Sequence, residues 1–242
     1  MSSTAPRPSA RRSHSGSSTR SGPLASPATA RIAPFALFIA LIAAQPLAAQ
    51  WLDARWIVLG RGLATGALLL WLWPHFRELR SAPALRAREW AISIAVGVAV
   101  FVAWIHLDRP WMTFGSFGAA GFNPLAADGS LDLPVVALRF AILVAIVPVM
   151  EELFWRSFLL RWIDKRDFLA ADPRRASVLA IAATSLLFAA EHSLWLAGLV
   201  AGVAYTSLYV GIGNLRSCVV SHAITNGLLG AWIVATRDWR FW

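Results

Sequence analysis

Residues 141–162 read AILVAIVPVMEELFWRSFLLRW, an apolar run that contains two carboxylates and a guanidinium in its interior and a second arginine, Arg161, at its end. The run exceeds the roughly 20 residues that a helix needs to cross a bilayer. Its interior charges, Glu151, Glu152 and Arg156, lie where lipid-facing residues are expected. Burying a charge in the middle of a bilayer costs a few kcal/mol, so ionisable residues in such a segment are candidates for function by default. The stretch therefore predicts a membrane helix that carries a site.

The composition of the whole chain favours a polytopic membrane protein. Of the 242 residues, 57% are hydrophobic and 14% are charged, whereas a soluble domain carries roughly a quarter charged residues. The net charge of +9 is compatible with nucleic-acid binding. The basic residues, however, lie at the ends of apolar runs, as membrane topology signals do. No nucleic-acid partner is therefore expected, and the single cysteine excludes a disulfide framework within the chain.

Seven apolar segments predict an all-α transmembrane bundle of about seven helices, or eight if a short interfacial helix is counted. The segments are 32–50, 56–73, 90–107, 134–160, 176–191, 194–212 and 215–235. Small residues four apart, Gly62 with Gly66 and Gly198 with Gly202, predict close helix packing. The fold class is therefore a helical membrane domain over residues 32–242.

The charged segments outside the apolar runs predict the topology. Residues 1–31 are rich in Ser, Pro, Ala and Arg and contain no acid, which is typical of a disordered basic tail. Arginines also cluster in the loops 74–89 and 161–175. If every segment spans, all three regions lie on one side, and the positive-inside rule places that side and the N-terminus in the cytoplasm.

Helical spacing separates the charges of the opening stretch. Glu152 and Arg156 are four residues apart with the acid first, the favoured order for an ion pair along a helix. Glu151 is rotated by about 100° from Glu152 and can point elsewhere. Such a pair taken alone is more often structural than functional.

Two histidines on other segments are the candidate partners of Glu151. His192 closes the fifth segment four residues after Phe188, and His222 lies one turn before Asn226 on the seventh. Each taken alone could be an ordinary interhelical contact. Lipid does not tolerate them unpaired, however, and a bundle can gather them in one cavity. Glu191 lies near a segment end, which favours solvated surface for its side chain.

Three short motifs resemble those of a known family. EELFWR at 151–156 is similar to the EExxxR motif of the CPBP family, the intramembrane proteases related to the CAAX prenyl endopeptidases (Abi and Rce1-like proteins). FAAEH at 188–192 is similar to the FxxxH motif, and HAITN at 222–226 to the HxxxN motif. The resemblance covers about residues 134–235, the expected protease-like core. The chain also resembles a bacterial branch found beside exosortase-type sorting systems.

The resemblance implies a glutamate-dependent intramembrane endopeptidase. By position, the implied catalytic residues are Glu151, Glu152, His192, His222 and Asn226, with Arg156 and Phe188 in support. Peptide hydrolysis needs an activated water and a group that holds the oxyanion. We assign Glu151 as the general base and His192 to the same water. His222 and Asn226 are then expected at the oxyanion, while Glu152 and Arg156 hold the helix geometry or Arg156 meets a substrate carboxylate.

Other chemistries stay open at the level of sequence. No cofactor is expected, but Glu151, His192 and His222 would form a credible zinc site, although no HExxH motif is present. A non-catalytic immunity or sorting partner would keep the same pocket. A proton-coupled transporter would show inverted repeats, and none is visible. The expected substrate is a protein or peptide with a hydrophobic or lipidated C-terminal region. The expected location is the bacterial inner (plasma) membrane.

Overall fold

The computed structural model describes residues 26–115, 122–126 and 128–242. Within these residues the secondary structure is helical, apart from one isolated bridge between Leu125 and Leu131. The fold is carried by α1 (Pro27–Ala43), α2 (Ala54–Leu72), α3 (Ala87–His106), α4 (Leu133–Asp164), α5 (Val178–Ala190), α6 (Trp195–Ile212) and α7 (Leu215–Thr236). Of these, α2 to α4, α6 and α7 are long and apolar enough to cross a membrane, and α1 and α5 are shorter apolar helices. The predicted polytopic helical bundle is confirmed.

The first helix begins before the predicted boundary at residue 32. The side chain of Ser26 accepts a hydrogen bond from the Thr29 backbone N–H, and Pro27 occupies the first turn; both features favour a helix start. Arg31, predicted to lie in the disordered tail, is therefore helical and buried. Residues 1–25 of that predicted tail lie outside the described residues. The predicted segment 32–50 is also divided, because α1 ends at Ala43 and a one-turn helix follows at Gln45–Ala48.

A buried ionic network fixes α1 to the rest of the bundle. The Arg31 guanidinium donates to both carboxylate oxygens of Glu78, at 2.7 and 2.6 Å, and to the Ser157 hydroxyl at 3.0 Å. Glu78 belongs to the connection between α2 and α3, and Ser157 to α4. The Ser157 hydroxyl also contacts Glu78, and Arg161 lies 3.9 Å from the same carboxylate. Three parts of the chain therefore meet at one buried carboxylate.

Helix α4 changes its hydrogen-bond register twice, over Ile142–Ile146 and over Leu153–Leu159, where the turns are π-helical. The Val147 N–H donates to the Ile142 carbonyl. In the same register the Leu143 carbonyl would need the N–H of Pro148, which proline lacks. The Leu143 carbonyl is therefore open to a partner from another helix. The second π segment follows Glu152 directly, and π turns are frequent at functional sites.

Glycines allow the helices around α4 and α5 to approach closely. A Cβ added to Gly62 would lie 2.5 Å from the Ile142 side chain, and one added to Gly202 would lie 3.0 Å from the Ser185 carbonyl oxygen. Gly66 and Gly198 are in similarly close contact. The packing role predicted from the glycine spacing is confirmed.

Candidate active site

The two glutamates of α4 face one histidine of α7. Glu151 is 8% exposed and Glu152 is fully buried. His222 lies between them, with Nδ1 2.9 Å from Glu152 Oε1 and Nε2 3.9 Å from Glu151 Oε2. The sequence predicted that Glu151 points away from Glu152, and the structure places the carboxylates on opposite ring nitrogens of the same imidazole.

Arg156 compensates the charge of Glu152, as the spacing predicted. Its Nη1 donates to Glu152 Oε1 at 3.1 Å, and both side chains are fully buried. Its Nη2 donates to the Gly202 carbonyl at 3.4 Å. The guanidinium also lies over the rings of Phe188 and Tyr205, with 4.4 and 5.3 Å to the centroids. Phe188, expected to support the site, thus packs on the buried cation.

Tyr205 and Thr225 orient His222, and no sequence motif marked either residue. The Tyr205 ring stacks on the imidazole with 5.0 Å between centroids. The Tyr205 hydroxyl donates to Thr225 Oγ1 at 2.7 Å, and the Thr225 hydroxyl donates to the Gly97 carbonyl at 2.8 Å. These two hydrogen bonds connect α6, α7 and α3 next to His222. An aromatic residue in an apolar helix usually indicates only core packing, so the pattern gave no signal for this role.

His192 lies in the turn between α5 and α6, next to Glu151. Its Nδ1 lies 2.7 Å from the Phe188 carbonyl oxygen, so Nδ1 must carry the proton and donate it. The ring also packs edge-on against Trp104, with 5.2 Å between centroids. In the neutral ring, Nε2 is then the acceptor nitrogen. His192 is therefore held in the tautomer that can accept a hydrogen bond from water.

Glu191 adds a third carboxylate. The residue is exposed, as its place near a segment end predicted, but its side chain is only 18% exposed, and its Oε1 accepts a hydrogen bond from the Trp155 indole N–H at 3.1 Å. Carboxylate oxygens of Glu151 and Glu191 and a ring nitrogen of His192 all lie within 4.8 Å of one another. The turn that follows α5 folds these side chains inward, which the apolar pattern alone does not encode.

The donor set for a metal differs from the set predicted from sequence. Within the described residues, Glu151, Glu191 and His192 form the group with metal-ligand spacing. His222, expected as the third ligand, is hydrogen bonded to Glu152 instead. Two carboxylates and an imidazole are donors that zinc accepts.

Asn226 shares a helix face with His222 but uses its amide on the backbone. Its Nδ2 donates at 3.0 Å to the Leu143 carbonyl, the carbonyl that Pro148 leaves open. One N–H of the amide is therefore committed to holding α7 against α4. The second N–H of the same group is the one that could reach a substrate.

Glu151 is the buried acid of α4 whose carboxylate makes no hydrogen bond to a described residue. Its Oε2 is inaccessible and unpaired, with His222 Nε2 3.9 Å away. Glu152 Oε2 is also unpaired, but Glu152 Oε1 is bonded to Arg156 and His222. Buried polar atoms in native proteins are nearly always paired with protein or ordered water, so the Glu151 carboxylate is a point in the cluster where a water or a substrate group is needed.

A known protein family matches part of the chain. Residues 133–228 match the family described as type II CAAX prenyl endopeptidase Rce1-like. The matched range begins at the first residue of α4, extends into α7, and contains every residue of the predicted catalytic set. No curated protein and no solved structure matches the chain. The segment 133–228 is therefore similar to the Rce1-like type II CAAX prenyl endopeptidases.

Proposed function

We propose that the chain is an intramembrane endopeptidase that hydrolyses a peptide bond with a water activated by Glu151 and His192. The observation that carries the proposal is the Glu151 carboxylate: its buried Oε2 is unpaired, and one of its oxygens lies within 4.8 Å of a His192 ring nitrogen. A water between these groups would have two acceptors for its protons. Its lone pair would then be directed at a substrate carbonyl.

The proposed reaction has two steps. Glu151 takes a proton from the water, and the oxygen attacks the carbonyl carbon to give a tetrahedral oxyanion. Collapse of this intermediate breaks the C–N bond while the protonated Glu151, now acting as a general acid, gives the proton to the leaving amine. His222 presents its Nε2–H to the oxyanion. Glu152, whose Oε1 lies 2.9 Å from His222 Nδ1, then has the role of a carboxylate that orients a catalytic imidazole.

The proposed substrate is a protein or peptide with a hydrophobic or lipidated C-terminal region. An apolar groove of about 410 Å³ lies between α2 and α4 and is lined by residues such as Leu63, Ile146 and Val149. An apolar tail bound in this groove would lie along α4, the helix that carries Glu151. We place the protein in the bacterial inner membrane with its N-terminus in the cytoplasm.

The test is cleavage by the purified protein in lipid nanodiscs. Peptides that end in an apolar helix and prenylated peptides are supplied in parallel. Glu151→Gln keeps the size of the side chain and removes the base, so we expect the rate to fall by at least about 10²-fold. Glu89→Gln, a change at an exposed helix cap, should cleave like the wild type. Retained cleavage in a folded Glu151→Gln protein would contradict the mechanism.

Two further arms separate the rival chemistries. Chelators should leave the rate unchanged, because the proposed water is held by protein groups alone. A loss of activity that zinc restores would replace this mechanism with a metal-dependent one at Glu151, Glu191 and His192. Absence of cleavage of either substrate class, together with a cellular phenotype that survives Glu151→Gln, would favour the non-catalytic partner instead.

A further inference from the structure

Two arginines lie inside apolar helices at a distance from the proposed active site and have no acidic partner. Arg61 is on α2 and Arg139 on α4, and both side chains are partly buried. All 13 Asp and Glu residues of the chain lie within the described ranges. None of the ion pairs that those acids form within 4.0 Å involves Arg61 or Arg139. The fold therefore leaves both cations unneutralised.

The two guanidinium groups are close enough to repel each other. The positive charge of Arg61 acts on Arg139. The helices touch at this level, because a Cβ added to Gly62 would meet Ile142, one turn after Arg139. Arg61 lies seven residues into α2 and Arg139 six residues into α4, so both are about 10 Å from the helix starts. Bringing like charges together in an apolar region is unfavourable unless an anion is shared between them.

The polar atoms around the pair are also unsatisfied. Arg61 donates from Nη1 to Gln45 Oε1 at 3.2 Å, but its Nε is buried without a partner. Arg139 makes no hydrogen bond to any described residue, and its guanidinium lies over the rings of Phe122 and Trp242, at 4.8 and 5.6 Å. The indole N–H of Trp242 is itself buried and unpaired. Donors from three elements thus face the same region without an acceptor.

The position along the bundle indicates the kind of anion. Trp51 and Trp56, 74% and 63% exposed, lie at the same end of α2 and mark the bilayer interface, where tryptophan is enriched. Arg61 and Arg139 lie one to two helical turns further into the bilayer than these tryptophans, and long arginine side chains at that depth extend back to the level of the lipid phosphates. Glu151 lies 12 residues further along α4, roughly 18 Å away. The pair is therefore next to the headgroups and separate from the proposed catalytic water.

We propose that Arg61 and Arg139 form a binding site for the phosphate of an anionic phospholipid at the start of α2 and α4. Guanidinium groups bind phosphate oxygens through two parallel hydrogen bonds, and two of them can share one phosphodiester. The aromatic rings of Phe38, Phe122 and Trp242 flank the cations and would line the headgroup. Basic sites between membrane helices bind lipid headgroups in this way. The site does not depend on the protease function proposed above.

The experiment is native mass spectrometry of the purified chain titrated with phosphatidylglycerol or phosphatidylcholine. The wild type should retain one phosphatidylglycerol with at least about tenfold preference over phosphatidylcholine, since the choline cation would add a third positive charge. Arg61→Gln/Arg139→Gln should lose this preference. The control Arg55→Gln/Arg109→Gln removes the same charge at the same end of the bundle, and Arg55 already pairs with Asp53. This control should retain the lipid.

Several outcomes would overturn the proposal. They are equal retention of both lipids by the wild type, an unchanged preference in the Arg61→Gln/Arg139→Gln variant, or displacement of the lipid by millimolar inorganic phosphate. If the Arg61→Gln/Arg139→Gln variant has a higher KM for the peptide but still retains the lipid, the two arginines bind a substrate carboxylate instead. If the glutamine variant does not fold, Arg61→Lys/Arg139→Lys keeps the charge and should keep part of the preference. Glu151→Gln protein should bind the lipid normally, which separates this test from that of the protease.

Discussion

The arginine in the centre of the bundle decides whether the carboxylate cluster can exist. Glu151 and Glu152 are buried, Glu191 lies next to Glu151 at the edge of the same cluster, and Arg156 pairs with Glu152 there. Its Nη1 bonds Glu152 and its Nη2 bonds the carbonyl of Gly202. The cation thus neutralises one acid and anchors α4 to α6. Both roles require the two arms of a guanidinium, which lysine does not have.

Replacing Arg156 by methionine should therefore destabilise the whole bundle. The substitution keeps most of the apolar volume but leaves Glu152 buried without its cation, and breaking a buried pair in this way costs about 3–5 kcal/mol. The measurement is thermal unfolding in detergent. Arg55→Met removes a solvent-screened pair with Asp53 and should lower the melting temperature far less than Arg156→Met does.

A double variant tests the cause of that loss. Adding Glu152→Gln to Arg156→Met removes the stranded charge, so part of the stability should return. If Arg156→Met melts like the wild type, the pair does not hold the bundle together. If the double variant is weaker than the single one, Arg156 acts mainly through Gly202 and the aromatic rings.

At the scale of helices, the sequence predicted what depends on apolar length and on spacing within one segment. The seven segments and the Glu152–Arg156 pair follow from such local patterns. The start of α1 was predicted too late, at residue 32, although Ser26 followed by Pro27 is a helix-start signal. The motifs also led to the correct prediction that Glu151 and His192 lie in one region.

The remainder depends on contacts between distant parts of the chain. The inward position of Glu191 requires the fold of the turn after α5, and its partner Trp155 is on another helix. Asn226 binds Leu143 because Pro148 cannot supply an N–H in a π register, and that register is set by packing rather than by local preference. Periodicity within one segment carries no information about such pairings.

The contact between α3 and α7 gives a prediction about a single methyl group. A Cβ added to Gly97 would lie 2.5 Å from the Ser221 carbonyl oxygen and 2.9 Å from Ile224 Cβ. Gly97→Ala should therefore push the helices apart and weaken the Thr225 bond that orients the Tyr205–His222 stack. We expect a loss of about 1–3 kcal/mol, the usual cost of overpacking, together with slower cleavage.

The matched control for this change is Gly211→Ala on α6. A Cβ at Gly211 meets nothing within 4 Å, so the variant should be at least as stable as the wild type, because alanine is the better helix former. Thermal unfolding and peptide cleavage, measured on both variants, test whether the close contact between α3 and α7 at Gly97 is needed. Equal behaviour of the two would show that α3 and α7 tolerate separation at this point.

At the scale of the molecule, the position of α1 depends on ionic rather than apolar contacts at its start. Helix α1 is shorter than the five candidate spans. Arg31, close to its first turn, donates to Glu78, to Ser157 and to the backbone carbonyls of Pro27 and His75. One side chain thus connects α1 to the α2–α3 connection and to the end of α4. The stability of the whole fold should therefore respond to the charge of Glu78.

The direction in which the stability of the fold changes with pH follows from the pKa of Glu78. Burial by itself raises the pKa of Glu78, but the hydrogen bonds and charge of Arg31, with help from Ser157, outweigh it and hold the pKa below the ordinary value of 4.5. A carboxylate whose pKa is lowered by folding stabilises the fold above its unfolded pKa and loses that contribution as pH falls through the folded value. The stability that wild type has over Glu78→Gln should be complete at neutral pH and decline as the pH falls below about 4.5.

Arg31→Met is the variant that should reverse this dependence. Without the guanidinium, burial becomes the dominant influence on Glu78 and raises its pKa above the unfolded value. A group of this kind favours the folded state more as it becomes protonated, so Arg31→Met should gain stability relative to the wild type as the solution is acidified. Thermal unfolding of wild type, Glu78→Gln and Arg31→Met from pH 7 down to about pH 2.5, below the ordinary pKa of a glutamate, measures both trends. Parallel curves for all three proteins would show that Glu78 does not titrate against Arg31, and that α1 is held by its apolar contacts instead.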